Sequence, residues 1–318
     1  MILAGGTEAL SHAPLVYSRD ATEWYGDLAK AKSPLDKAKA FADVRPDFFL
    51  PVIGLERGLT DPITKLNMGQ TAEVLAHRFG IDRITADTYA DESHHRLAAA
   101  QDEGRLKGEV VPVFDTNGRA HEIDDGVRPN SSVEKLGKLN PAFEKPYGKV
   151  TPGNSSQITD GASWVILASE TAVEAHGLEP IARIVDSQWA GLDPSIMGLG
   201  PVLSSTPLAQ RHGLSCDDID LWEINEAFAA QVLSCLAAWQ DDDFCRDILG
   251  YDEAFGRIDR DKLNVDGGAI SLGHPVGTSG NRIVLHLANA MKARGAKRGI
   301  ATECIGGGLG GAMLLEAA

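Results

Sequence analysis

The sequence predicts a layered α/β protein of about two globular units, and three observations carry that prediction. The chain has 318 residues, against roughly one domain per 150 residues. Hydrophobic residues make up 43%, charged residues 24% and aromatics 6%, with 34 glycines. That is the profile of an α/β enzyme rich in tight turns, and it excludes collagenous, disordered and coiled-coil classes. The last 140 residues alternate strand-like and helix-like segments, the rhythm of sheet layers covered by helices.

Charge and cysteine content narrow the partners. Lys and Arg total 30 against 45 Asp and Glu, a net charge of −15, which repels a polyanion, so nucleic acid is not an expected partner. The excess is uneven. Residues 1–150 hold 19 basic and 23 acidic side chains and the remainder 11 and 22, so an anionic ligand would prefer the first part. Cys216, Cys235, Cys245 and Cys304 are widely and irregularly spaced, fitting neither a zinc pattern nor a disulfide framework, and a reducing compartment suits them. No run approaches the roughly 18 apolar residues of a membrane span, and no basic flank precedes a long apolar stretch at the N-terminus.

In chain order, MILAGGTEALSHAP opens with four apolar residues that run into Gly5 and Gly6, the pattern of the second half of a buried strand ending in a tight turn. It is read either as a short edge strand at a terminus or as a start inside a domain, and the motifs below favour the second. Ser11 to Lys149 shows no βαβ rhythm. Helices are expected at Gln70 to Phe79 and at Thr85 to Gly104, where Ala86, Tyr89, Ala90, Leu97 and Ala100 fall at helical spacing. The apolar run DFFLPVIGL, Asp47 to Leu55, is expected to be a buried loop, with a bilayer or partner contact as the alternative. SWVILAS, Ser163 to Ser169, reads as a strand covered on both faces.

Beyond it come the strand PIARIVDSQWAG, a helix near Thr206 to His212, the strand DLWEI and a helix from Glu226 to Gln240. The stretch DDDFCRDILGYDEAFGRIDRDK lacks clean periodicity and reads as a solvated surface insertion. A glycine-rich turn follows, then the helix NRIVLHLANAMKARG, the strand RGIATEC, a glycine run and a final strand GAMLLEA.

Three turns carry chemistry. NVDGGAISLGHPVGTSGNR places His274 in a loop with five glycines between positions 267 and 280, just before a helix. Glycine permits close backbone approach, and helix N-terminal N–H groups face the same space. This histidine either acts as a general base or donor near neutrality, or merely caps the turn. TECIGGGLGG puts Cys304 at a strand end before Gly306, Gly307, Gly308, Gly310 and Gly311. Bare N–H groups beside a thiol suit an oxyanion-stabilising site, and the thiol can shuttle protons; a free cysteine is otherwise an inert small hydrophobe. LWEINEAFAAQ carries Asn225 and Glu226 at a strand-to-helix junction, where Asn225 either caps the helix or directs its amide into a pocket. His94 and His95 are adjacent on a helix and face different ways, and no carboxylate spacing completes a metal site, so no metal is assigned.

NEAFA, GGAISLGHPVGTSG and CIGGGLGG, in this order near the end of the chain, resemble the C-terminal half of thiolases, the acyl-CoA C-acyltransferases. AGGTEALSHAP, NMGQTAEVLA and TPGNSSQITDGAS are similar to that family's N-terminal-domain strand end, loop-domain helix and CoA-contacting turn. DDGVRPNSSVEKLGKLNPAFEKPYGKVTPGNSS and the polar insertion resemble the thiolase β-subunit of the fatty-acid-oxidation complex, although that branch commonly carries His where this chain has Asn225. The resemblance implies a layered αβαβα fold with an incomplete N-terminal half-domain and an inserted helical and loop subdomain. Its units would be a remnant strand at 1–10, the loop subdomain that binds CoA and acyl groups at 11–149, the end of the N-terminal domain at 150–178 and the C-terminal domain at 179–318.

The implied activity is thiolytic cleavage of 3-ketoacyl-CoA to acetyl-CoA and a shortened acyl-CoA in fatty acid β-oxidation, or the reverse Claisen condensation. CoA and acetyl-CoA enter as substrates and no cofactor is implied. His274 would activate the nucleophile and bind the thioester oxygen together with a water held by Asn225. Cys304 would protonate the leaving enolate, and the N–H of Gly306 would serve an oxyanion hole. Ser156 and the face around Met68 would contact pantetheine and acyl moieties. The family's nucleophile is a cysteine on a Cys-Ser-Ser or Cys-Gly-Ser turn before the AGG strand; here nothing precedes that strand, so a missing segment of order 100 residues, comparable to a small domain, and an inactive chain are expected. His274 and Cys304 should converge within about 10 Å. The alternative is a non-catalytic acyl-CoA-binding or scaffold subunit. A ketoacyl-synthase-type enzyme would carry a second histidine in place of Cys304, and a His274–Cys304 hydrolase dyad would show esterase activity. The resemblance also implies a homodimer or homotetramer, an α-subunit with hydratase and dehydrogenase activities, and a location in the bacterial cytoplasm or the mitochondrial matrix.

Overall fold

Gly5 and Gly6 lie in the middle of a strand, not at its end. In the computed structural model, which describes residues 1–318, β1 (Ile2–Ala9) runs through both glycines. A Cβ on Gly6 would sit 1.9 Å from the carbonyl oxygen of Gly277, so the tight-turn reading gives way to a close crossing of strand and helix that only glycine permits.

The segment between β1 and the C-terminal layers is built from short elements. β2 (Leu15–Val16) pairs with β3 (Val52–Ile53) and brackets α1 (Arg19–Lys30) and α2 (Pro34–Ala42). Ser18 and Ser33 cap the two helices, which close over Ala21, Trp24 and Phe48. In DFFLPVIGL only Phe48 is buried; Phe49, Leu50 and Ile53 are exposed. The expected buried loop is therefore a turn and a two-residue strand whose outer side chains have nothing to pack on. After α3 (Gly54–Gly58), α4 (Met68–Arg78) starts from a capping box of Asn67 and Gln70, and Asp82 caps α5 (Arg83–Asp102). Both helices begin two residues earlier than apolar periodicity indicates, because polar caps set the start. β4 (Val113–Phe114), β5 (Ala120–His121) and α6 (Val133–Gly137) complete the segment.

β6 (Asp160–Leu167) pairs antiparallel with β1, from Ile2 opposite Leu167 to Ala9 opposite Asp160. The two form a two-stranded ribbon. Trp164 is 50% exposed and Ile166 70%, so the expectation of a strand covered on both faces is corrected: one face lies on a helix and the alternate side chains point outward.

After α7 (Glu170–His176), the C-terminal part holds β7 (Ala182–Gly191), α8 (Gly200–Arg211), β8 (Leu221–Ile224), α9 (Ala229–Trp239), α10 (Asp242–Phe244), α11 (Ala269–Leu272), α12 (Val276–Arg294), β9 (Arg298–Ile305) and β10 (Leu309–Ala317). The sheet order is β7-β10-β9-β8, parallel only between β8 and β9. α12 lies between this sheet and the ribbon, and α8 packs on the far side. Ribbon, helix, sheet and helix thus stack as β–α–β–α, a layered α/β architecture.

The main core gathers Leu199, Leu208, Trp222, Ile224 and Trp239 with Tyr89 of α5, and Ile283, Leu287 and Met291 of α12 bury against Leu221, Ala301 and Leu315. Each such side chain contributes about 1.5–3 kcal/mol by leaving water.

Three helix expectations shift. The helix expected at Thr206 starts at Gly200 and carries Pro207 inside; that expected at Glu226 starts at Ala229; that expected at Asn281 starts at Val276. The acidic insertion is also corrected. Phe244, Cys245, Phe255 and Ile258 are buried in the main core, and Phe255 stacks near Trp222 and Trp239 at 6.4 and 6.3 Å between ring centroids. Its apolar anchors are irregularly spaced, so periodicity does not reveal them.

Candidate active site

Asn225 and Cys304 stand at the same end of adjacent strands. β8 and β9 run parallel with Ile224 opposite Thr302, so the next residue past β8 is Asn225, and Cys304 lies two residues past Thr302. The Asn225 N–H donates to the Thr302 carbonyl at 3.0 Å. Asn225 does not cap α9: the N-cap position is Phe228, with no side-chain cap. Its side-chain nitrogen lies instead 3.3 Å from His274 Nε2.

His274 is placed by the loop between α11 and α12. Its N–H donates to the Gln157 carbonyl at 3.0 Å, and the Gln157 amide donates to the carbonyls of Gly126 and Ile270 at 2.8 and 3.1 Å, tying the TPGNSSQ segment to the histidine loop. Gly273, at φ +108, has no room for a side chain, since a Cβ would meet Thr159 Oγ1 at 2.3 Å. The other ring nitrogen, Nδ1, lies 2.6 Å from the Ser279 hydroxyl. Burial, with a smaller push from the Arg282 charge, lowers the His274 pKa to about 4, so the ring is neutral at pH 7.

Cys304 is buried in a cluster with Met197 and Ala227, against which Met68 and Phe228 pack. Burial first, then the neighbouring Glu303 carboxylate, pushes its thiol up to about 12. At pH 7 it is a protonated thiol rather than a standing thiolate. In the turn that follows, Gly307 and Gly308 adopt φ +85 and +81, and a Cβ on Gly308 would meet the Leu192 carbonyl oxygen at 2.2 Å. Gly306 differs: the nearest atom to an added Cβ is Met68 Sδ at 3.9 Å. The backbone does not demand glycine there, and the space beside its N–H is open.

Ser156 joins the same neighbourhood through its N–H, which donates to the Ala227 carbonyl at 3.0 Å. The sequence candidates fall into two groups: His274 and Asn225 share a hydrogen bond, and Ser156 bonds to Ala227, which packs with Cys304 and Met68 beside Gly306. Of the remaining cysteines, Cys235 is buried near Cys304, burial first and then the Cys304 charge raising its pKa, while Cys216 and Cys245 are buried in the main core. The Cys235 thiol donates to the Gly198 carbonyl at 3.2 Å and the Cys245 thiol to that of Ala238 at 3.4 Å, while Cys216 is buried beneath Gly256. Sequence reasoning missed Ser279, Gln157 and Met197. Ser279 was legible in principle, five residues past His274 in the first turn of α12; Met197 carries no sequence signal. A groove of about 420 Å³ between ribbon and sheet is lined by Gly5, Trp189, Val276 and Glu303 but by none of the six, because Glu303 and Cys304 alternate across β9.

A half-buried imidazole beside an amide and a buried, protonated thiol stand on a layered α/β scaffold, groups suited to acyl-group chemistry at a carbonyl carbon. The thiolase N-terminal domain model matches residues 1–171 and the thiolase C-terminal domain model residues 178–317. The chain belongs to the thiolase family. It is 46% identical over 253 residues to a 3-ketoacyl-CoA thiolase of Marinobacter nauticus, covering 78% of this chain and 61% of that protein. It is 38% identical over 319 residues to the mitochondrial trifunctional enzyme subunit beta of Bos taurus, covering 100% of this chain and 66% of that one. The chain thus spans about two thirds or less of these relatives. The crystal structure of human mitochondrial 3-ketoacyl-CoA thiolase in complex with CoA superimposes with a TM-score of 0.82 at 37% identity, covering 99% of this chain and 70% of that one.

Proposed function

We propose that these residues form the acid–base half of an acyl-CoA C-acyltransferase site that cleaves 3-ketoacyl-CoA with CoA, or runs the reverse condensation. The observation that carries this reading is the Asn225 to His274 contact of 3.3 Å at the end of β8, beside the end of β9 that carries the buried Cys304 thiol. A sulfur nucleophile gives its proton to His274 Nε2 and adds to the keto carbon. The C2–C3 bond then breaks, leaving the acyl group on sulfur and an acetyl-CoA enolate. The imidazolium donates to the thioester oxygen. Asn225 Oδ1, buried without a partner, is an acceptor available for a water beside it. Cys304 gives its proton to C2 of the enolate; the thiol of the incoming CoA then gives its proton to the Cys304 thiolate and attacks the acyl carbonyl, and the nucleophile's sulfur leaves and takes its proton back from the His274 imidazolium. The Gly306 N–H serves the keto oxyanion; one such donor is worth about 3 kcal/mol of barrier. Ser156 and Met68 line the pantetheine and acyl side. CoA is a substrate, and this chemistry calls for no metal or prosthetic group.

None of Cys216, Cys235 and Cys245 is followed by the Ser-Ser or Gly-Ser of the family's nucleophile turn, so on this reading the 318 residues alone bind acyl-CoA without turning it over. The names of the relatives support fatty acid β-oxidation as the setting, in a bacterium or a mitochondrion, and a subunit-beta name supports an α-subunit partner; a homodimer or homotetramer is the assembly this reading carries over from the family resemblance. No helix is long and apolar enough to cross a membrane. The test is thiolysis by the chain alone and by the chain joined to an N-terminal segment bearing a Cys-Ser-Ser turn. No turnover in the first and His274-dependent turnover in the second is expected. CoA binding by calorimetry with no turnover in the joined protein favours the second reading, a non-catalytic acyl-CoA-binding subunit, for which the displaced cysteines speak.

A further inference from the structure

Asn264 is buried and non-glycine, yet its backbone sits at φ +45. Left-handed backbone at a buried, fully bonded residue persists only where the surroundings over-determine it, and such residues gather at functional sites. Its bonds show what is being held. The Asn264 N–H donates to the Trp222 carbonyl at 2.9 Å. Its side-chain amide continues the pairing along the free edge of β8, accepting the Ile224 N–H at 2.8 Å and donating to the Ile224 carbonyl at 2.9 Å. The same amide donates to Glu226 Oε1 at 2.9 Å, so one side chain grips the residues immediately before and after Asn225.

Glu226 extends the grip to the other partner of the site. Its carboxylate accepts from the Tyr89 hydroxyl at 2.9 Å, the Ser93 hydroxyl at 2.7 Å and the Ile270 N–H at 3.2 Å. Ile270 lies in α11, four residues before His274. Both ends of the Asn225 to His274 contact are thus tied to one buried clasp, while Asn225 keeps its own oxygen unpartnered.

We propose that Asn264 is a positioning residue which, through the backbone of Ile224 and the carboxylate of Glu226, holds the Asn225 amide against His274 Nε2. The inference rests on the reading of Asn225 and His274 as site residues, but its test needs no turnover.

The experiment is side-chain NMR of the chain and of its Asn264→Gly variant, which accepts φ +45 without strain and removes only the amide. The expected result is a variant with native backbone resonances in α8 and β10, at least about tenfold faster exchange of the Asn225 side-chain amide protons, and a shifted His274 Nε2 resonance. The His94 and His286 resonances stay in place. Unchanged Asn225 exchange and an unchanged His274 resonance overturn the proposal, as do equal shifts at all three histidines, which denote general loosening. If Asn264→Gly does not fold, Tyr89→Phe, which removes one donor to Glu226, decides by the same two readouts, with a smaller shift expected and none overturning. Failure of thiolysis in the joined protein sinks the acyl-transfer reading and leaves this result standing.

Discussion

The Ser279 hydroxyl lies 2.6 Å from His274 Nδ1 and 3.2 Å from the Pro275 carbonyl oxygen. The carbonyl can only accept, so the hydroxyl gives it its proton and accepts from Nδ1–H, which fixes the tautomer and leaves the lone pair on Nε2, toward Asn225. Replacing Ser279 with Ala should therefore lower kcat of the nucleophile-supplied protein by about tenfold to a hundredfold with little change in KM. Steady-state kinetics checks this; a kcat for Ser279→Ala equal to that of wild type, or a change confined to KM, contradicts the tautomer assignment.

Stability should fall on the acid side through His274. Its folded pKa is depressed to about 4, chiefly by burial, against about 6.5 unfolded. The unfolded chain thus binds the proton first, and stability present above pH 6.5 is lost as the pH falls from there toward 4. Urea midpoints of wild type and His274→Gln across that window should converge as the pH drops. Parallel curves would show that the ring titrates freely.

His286 should act in the opposite direction. It is buried on α12 with Nδ1 at 3.0 Å from Glu109 and Nε2 at 3.7 Å from Asp266, and Asp266 also takes Arg105 and Arg294 at 2.9 and 3.0 Å. Burial opposes its charge, but the Glu109 hydrogen bond and nearby carboxylates outweigh it and raise the pKa. The stability it contributes is complete below the unfolded pKa and is lost as the pH rises through the folded one. His286→Ala leaves the half-buried Glu109 carboxylate without its partner, while Asp266 keeps its two arginines, and should cost about 2 kcal/mol, read from denaturant unfolding at pH 6.

Cys304 should resist alkylation. With its thiol pushed up to about 12 by burial and Glu303, iodoacetamide labelling at pH 8 should be far slower than for an ordinary cysteine. Mass spectrometry of the labelled chain reads this directly, and rapid modification at Cys304 would falsify the proton-donor role.

Gly306 and Gly308, two residues apart in one turn, should respond differently to alanine. Gly308→Ala meets both a φ of +81 and the Leu192 carbonyl, and should destabilise by about 2–3 kcal/mol. Gly306→Ala has its nearest neighbour at 3.9 Å, should stay within about 0.5 kcal/mol of wild type, and should weaken acyl-CoA binding by filling the open space. Thermal melts and calorimetry distinguish the two; a destabilised Gly306→Ala would mean that the turn, not a ligand, needs that glycine.

The linear order of residues was enough to place the layered class and the glycine-bordered turns that single out His274 and Cys304 as candidates, because strand-end turns are local: glycine spacing, a following helix and a histidine or cysteine between them fall within about twenty consecutive residues. Periodicity likewise located α4 and α5 to within two residues, since an amphipathic helix writes its buried face into its own sequence. What only the tertiary structure decided is pairing across distance. The Asn225 to His274 contact joins residues 49 apart, the burial of Phe244 and Phe255 depends on where Trp222 and Trp239 lie, and the exposure of Trp164 and Ile166 depends on β6 having a single strand neighbour. An apolar strand reads alike whether or not something covers it, and an asparagine at a strand end reads alike as cap or clasp, because the partner that settles each case is brought there by the fold.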